Sequence, residues 1–184
     1  MSSILLSGPV VEPISLDDAK AFLKVETADD DDAIAALIAG ARVHVEAQTR
    51  RALLTQSWRL VRDAWPGDGR IAVVPAPLQA LTAARVYTLD GSTQAIDAAA
   101  APAILAFGAS PPPAPGRMTA GIELDVRAGY GDAADAVPPD LRQAIRMLLA
   151  HWYENRGMIA AGGAVALLPR SVAALIAPYR VLSL

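Results

Sequence analysis

The residues able to do chemistry in this chain are few. His44 and His151 are its two histidines, and there is no cysteine. A disulfide scaffold, a thiolate zinc site and a cysteine nucleophile are therefore excluded, and two imidazoles are little material for a metal cage or a proton relay. Glu123 and Asp125, two residues apart in Ile122-Glu123-Leu124-Asp125-Val126-Arg127, fall on one face of a strand and could share a metal or act as acid and base. The same alternation is what a sheet with one wet face requires, and that is the commoner reading. Asp29-Asp30-Asp31-Asp32 invites a calcium reading, yet the alternating ligands and turn glycine of an EF-hand loop are missing. Four aspartates before a helix are ordinary compensation of its positive end. Gly129-Tyr130-Gly131-Asp132 resembles part of a phosphate loop but runs into Pro138-Pro139 rather than opening a helix, so a turn leaving a sheet explains it better. No nucleophile elbow and no phosphate-loop lysine motif occurs. His44 lies mid-helix beside an apolar face, and His151, next to Trp152 and Tyr153, has no serine or carboxylate nominated beside it. Neither reads as a catalytic base.

The elements that position these residues follow from periodicity. Ser15 caps a short helix through Leu23, with Asp17 and Asp18 in its first turn. A second helix runs from Ala33 to Gln48, with Ile34, Leu37, Ile38, Ala41 and Val45 on one stripe. From Thr55 to about Gly131 the period changes to that of strands: Ser57–Arg62, Arg70–Val74, Ala84–Thr88 and Ile122–Arg127, with a hairpin turn at Asp90-Gly91. Pro75 and Pro77 suit a strand exit or an edge. Ala109–Gly116, with four prolines, reads as a stiff exposed loop. Helix returns at Asp140, with Leu141, Ile145, Leu148, Leu149 and Trp152 as its stripe, and a last short helix spans Ser171–Ala177. The fold class expected is α+β: a helical bundle made of the N- and C-terminal parts, about 13–54 and 138–178, with a β-rich insertion at about 55–131 and a tail at 178–184. The whole, 1–184, is expected to act as a single domain.

Composition narrows the partners. The chain has 184 residues, 53% hydrophobic and 19% charged, and 16 basic against 19 acidic side chains give a net charge of −3. Such a chain can bury a core, and its slight acidity argues against gripping nucleic acid by its phosphates. No segment approaches the ~20 apolar residues that span a bilayer, and the first residues lack the features of a secretory signal. No membrane, metal or cofactor is expected, and the chain is expected to stay in the cytoplasm of the cell that makes it.

The order of short motifs is more specific than any one of them. Pro13-Ile14-Ser15-Leu16-Asp17-Asp18-Ala19-Lys20 with Phe22-Leu23-Lys24-Val25 opens the series. It continues through Asp30-Asp31-Asp32-Ala33-Ile34, Val45-Glu46, and Arg51-Ala52-Leu53-Leu54-Thr55-Gln56-Ser57-Trp58. Ala128-Gly129-Tyr130-Gly131, Val137-Pro138-Pro139-Asp140-Leu141, Trp152-Tyr153-Glu154-Asn155-Arg156, Leu168-Pro169 and Ala177-Pro178-Tyr179-Arg180 complete it. This pattern resembles the head–tail connector, or adaptor, proteins of long-tailed phages, in the gp6-like and gp8-like families, which also serve gene-transfer agents. The region from about Asp90 to Ala120 matches no part of it.

The resemblance implies a structural protein without catalysis. It implies a ring, usually dodecameric, beneath the portal protein, carrying a stopper and then the tail, with DNA passing through its channel without specific binding. The setting implied is the neck of a virion or phage-like particle assembled in the bacterial cytoplasm. On that footing Pro178, Tyr179, Arg180, Val181 and Leu182 are candidate portal contacts, the segment Ser171–Leu184 being expected to order on docking. Arg142, Arg146, Trp152, Tyr153 and Arg156 are candidate subunit contacts, although Trp152 packed inside the helical part is the favoured alternative. Two other classes stay open: a small acid–base enzyme using Glu123, Asp125 or His151, and a generic adaptor domain whose loop Pro111–Pro115 docks a partner.

Overall fold

A computed structural model describes residues 2–68, 70–96, 99–101, 104–106, 113–155 and 168–181. The chain is α+β and divides into two compact units. A helical unit is made of Val10–Leu54 and Gly131–Leu184, and a β unit of Met1–Pro9 and Thr55–Tyr130.

In the helical unit, α1 (Leu16–Leu23) starts where the Ser15 hydroxyl accepts the Asp18 N–H at 3.0 Å, and it ends on Lys24 in the left-handed region. The long α2 (Asp31–Thr49) buries Ile34, Ile38, Ala41 and Val45, the spacing the sequence predicts, and ends on Arg50, also left-handed. Helix α3 (Pro139–Glu154) begins with proline in its first turn, where a missing N–H costs nothing, and buries Leu141, Ala144, Ile145, Leu148 and Leu149. Helix α4 (Arg170–Ile176) buries Val172 and Ile176 completely. These apolar seams, packed α2 to α3 and α3 to α4, are the core of the unit.

In the β unit, a five-stranded antiparallel sheet runs in the order β1-β2-β8-β4-β5. Its strands are β1 (Ser2–Ser7), β2 (Gln56–Arg62), β8 (Ile122–Ala128), β4 (Leu78–Tyr87) and β5 (Thr93–Ala95). A second sheet, β3-β7-β6, joins β3 (Arg70–Ala72), β7 (Ile104–Ala106) and β6 (Ala99–Ala101). The core is Leu60, Val86, Ile122, Leu124 and Val126, with Ile71, Val73, Leu78 and Ala84. Asp90-Gly91 makes the expected turn between β4 and β5: Gly91 has φ +85°, and its N–H donates to the Thr88 carbonyl at 3.0 Å.

Three features differ from the sequence reading. Strand β1 is an addition: its residues do not alternate, and its partner β2 lies about fifty residues on. Strand β3 is shorter than expected and edges a separate sheet, while β4 begins earlier, at Leu78. The proline loop is also less free than expected: residues 109–112 lie outside the described set, but the Pro113 carbonyl accepts from Trp65 Nε1 at 2.8 Å and the Gly116 N–H donates to Tyr87 at 2.8 Å.

Candidate functional site

The end of the helical unit gathers the candidate portal contacts. The Val181 N–H donates to the Thr49 carbonyl at 3.0 Å, and Arg51 Nε donates to the Tyr179 carbonyl at 2.6 Å. The Tyr179 hydroxyl donates to Asp140 at 3.3 Å, and Arg180 Nη2 donates to Gln48 Oε1 at 3.1 Å. Pro178 and Arg180 stay exposed, and Tyr179 is half-buried. This corrects the expectation that Ser171–Leu184 orders only on docking. Through Val181 the segment is already folded on the chain's own helices, because Val172 and Ile176 complete an apolar seam and the α2 end supplies the polar partners. Leu182 lies outside the described residues.

The candidate subunit contacts on α3 divide. Trp152 packs on α2, edge-on to His44 with ring centroids 5.7 Å apart at 88°, and over Gly40. The Tyr153 hydroxyl donates to Asp30 at 2.6 Å. Arg142 and Arg146 are half-buried on the same helix, and Arg142 Nε has no hydrogen-bond partner among the described residues. Arg156 lies outside the described residues. His44, whose Nε2 is buried with no hydrogen-bond partner among the described residues, meets the Trp152 ring. The aspartate run is engaged locally, Asp30 by Tyr153 and Asp31 by Lys20 Nζ at 2.6 Å.

Glu46 escaped the sequence reading as a determinant of the site. Its Oε1 accepts the Leu53 N–H at 2.9 Å and its Oε2 accepts Arg42 Nη1 at 2.9 Å, while Arg42 Nε reaches Glu12 at 2.8 Å. One carboxylate thus turns the chain as it leaves α2. The spacing Arg42 to Glu46 was a visible helical pair, but its link to Leu53 was not. In the same unit an open cleft of about 550 Å³ is lined by Ile14, Leu16, Ala35 and Ile38, with Glu12 and Asp18 among its polar residues.

On one face of the β unit, the register sets Arg59 opposite Asp125 and Arg85 opposite Glu123. Arg59 Nε and Nη2 hold the two oxygens of Asp125 at 2.7 and 3.0 Å, Arg85 also pairs with Asp125, and both arginines approach Glu123 at 3.5 and 3.4 Å. The Arg59 hydrogen bonds hold the Asp125 carboxyl below its ordinary value against the opposing effect of burial, and those bonds raise the Arg59 guanidinium in turn. The two carboxylates are therefore spent on a planar charge lattice that ties β2, β8 and β4 together. Gly129-Tyr130-Gly131 is a turn. Gly129 has φ +138° and donates its N–H to Pro77, and a Cβ on Gly131 would lie 2.6 Å from that of Ala136.

The sequence profile of the phage gp6-like head-tail connector protein family matches residues 13–88 and 116–180, and the chain belongs to that family. It is a structural connector of a phage-like particle and not an enzyme. The chain is similar to one in the neck of an empty gene transfer agent particle computed with C6 symmetry, at TM-score 0.80 and 27% identity, over 100% of this chain and 97% of that one. It is similar to one in the virion of a native gene transfer agent particle, at TM-score 0.81 and 26% identity with the same coverage. A third similarity is to the neck of the native particle computed with C12 symmetry, at TM-score 0.72 and 29% identity, over 98% and 97% of the two chains. No curated protein sequence matches the chain.

Proposed function

We propose that the whole chain acts as one connector module, copies of which close a ring at the neck of a phage-like particle, between the portal protein and the stopper that carries the tail. The observation that carries this reading is the full-length similarity to neck-particle chains, at 97% of their own length. Physical support comes from charge. At −3 per chain, a ring of about twelve copies carries roughly −36, a wall past which phosphates slide rather than stick. In this reading Pro178, Tyr179, Arg180, Val181 and Leu182 meet the portal, and the described ones, Pro178 to Val181, lie on a surface preformed after α4 rather than one ordered on contact. Arg142, Arg146 and Arg156 are offered to neighbouring copies, while Trp152 and Tyr153 serve mainly to seat α3. Assembly takes place in the bacterial cytoplasm.

The test is deletion of the gene in the producing cell, followed by electron microscopy of the particles. DNA-filled heads without tails, restored by the full chain supplied in trans, are expected. Normally tailed particles would overturn the reading.

A further inference from the structure

Strand β1 ends the five-stranded sheet, so one of its hydrogen-bonding edges meets β2 and no strand pairs with the other among the described residues. All six of its residues are exposed, and Ile4, Leu5 and Leu6 are 49%, 49% and 47% accessible. Leu5 stands opposite Trp58, which packs against the β core, and Ile4 stands opposite Arg59, on the charged face. Aliphatic side chains thus flank the open edge above and below the sheet. Proteins that remain single blunt such an edge with charge, proline or a strong bulge. Ser-Ser-Ile-Leu-Leu-Ser has neither charge nor proline, only an irregular register between Leu5 and Ser7. The opposite edge, β5, is three exposed residues, Thr93-Gln94-Ala95, and is chemically unlike β1.

We infer that in the assembled ring the open edge of β1 is covered by the neighbouring copy of this chain. The inference rests on the ring reading above and says which surface closes the ring. A copy is the fitting occupant for two reasons. Chains of −3 repel one another, and an uncharged strand is where two of them meet at least electrostatic cost. A closed ring also places one unlike surface against another on every subunit. An edge strand needs only an extended backbone and apolar cover from its neighbour. Pairing of β1 with β1 would be two-fold and would stop at a dimer, so the neighbour presents some other part of itself.

The test places a photocrosslinking phenylalanine derivative at Ile4 of the full chain within complete particles. Irradiation should give a ladder of covalent oligomers in which residue 4 is joined to a peptide of another copy outside residues 2–7. Crosslinks confined to residues 2–7, crosslinks only to a different protein, or no oligomers from necks whose ring is seen by electron microscopy would overturn the inference while leaving the ring reading in place. Necks without any ring of this chain would remove both. In parallel, Leu5→Lys should leave the melting temperature of the isolated chain within about 2 °C, the side chain being half exposed, and abolish ring assembly. Rings assembled normally by L5K would also overturn the inference.

Discussion

Asp125 shows how a residue that looks chemical can be structural. Its two oxygens are shared by Arg59 and Arg85, so its charge is needed where it is and unavailable for proton transfer. Asp125→Asn should keep the side chain's shape but weaken both guanidinium contacts. Charge-assisted bonds are typically each worth about 1.5–3 kcal/mol. Both arginines are about 30% exposed, so the expected loss is nearer roughly 1–2 kcal/mol, read by urea unfolding near neutral pH. Because the carboxyl is held below its ordinary value in the folded chain, its contribution is present above the unfolded carboxylate pKa, about 3.9, and is lost as pH falls through the folded value. The gap between wild type and D125N should therefore shrink below about pH 4, and a gap constant with pH would contradict the assignment. The alternation of Glu123 and Asp125 was legible in the sequence, and so was their shared face. Their partners were not, because Arg59 and Arg85 reach them only through strand register, which no local pattern specifies.

Helices were the most legible elements, because caps and apolar stripes are written locally: Ser15, the aspartates and the Ile34-Ile38-Ala41-Val45 seam all appear where the spacing puts them. Long-range pairings are not legible, and with them β1, β6, β7 and the docking of the α4 helix onto the chain's own helices lie beyond local pattern. Strand β1 pairs with residues about fifty positions away, and α4 is held by α2 and α3 rather than by its own propensity. In α2, Gly40 is a point of low intrinsic helix propensity. A Cβ there would sit 3.6 Å from Trp152 Cζ3, an ordinary contact, and the residue is helical. Gly40→Ala should stabilise the chain by about 0.5–1 kcal/mol, chiefly by restricting the unfolded backbone, and raise the melting temperature by about 2 °C in a calorimetric scan. A loss of stability would mean that Trp152 tolerates no closer neighbour.

At the scale of the whole molecule, the proposed portal surface can be separated from folding. Arg180 is exposed, and its side chain donates to Gln48. Arg180→Glu should change stability by less than about 0.5 kcal/mol and yet reduce tail attachment in a complementation assay with the deleted strain. Wild-type attachment would remove Arg180 from the portal contact. The division of the chain has a further consequence, in the order of manufacture. Each unit is assembled from two separate stretches, and the polypeptide passes between them at Pro9–Val10, Leu54–Thr55 and Tyr130–Gly131. Strand β8, which lies between β2 and β4 in the middle of the main sheet, is the last of that sheet's strands to leave the ribosome. At about 5–20 residues per second, the sticky opening strand waits on the order of 10 s before its sheet can close. Until β8 arrives, the edges of β2 and β4 that it will join also stand open, so the nascent chain carries more unpaired edge than the folded one.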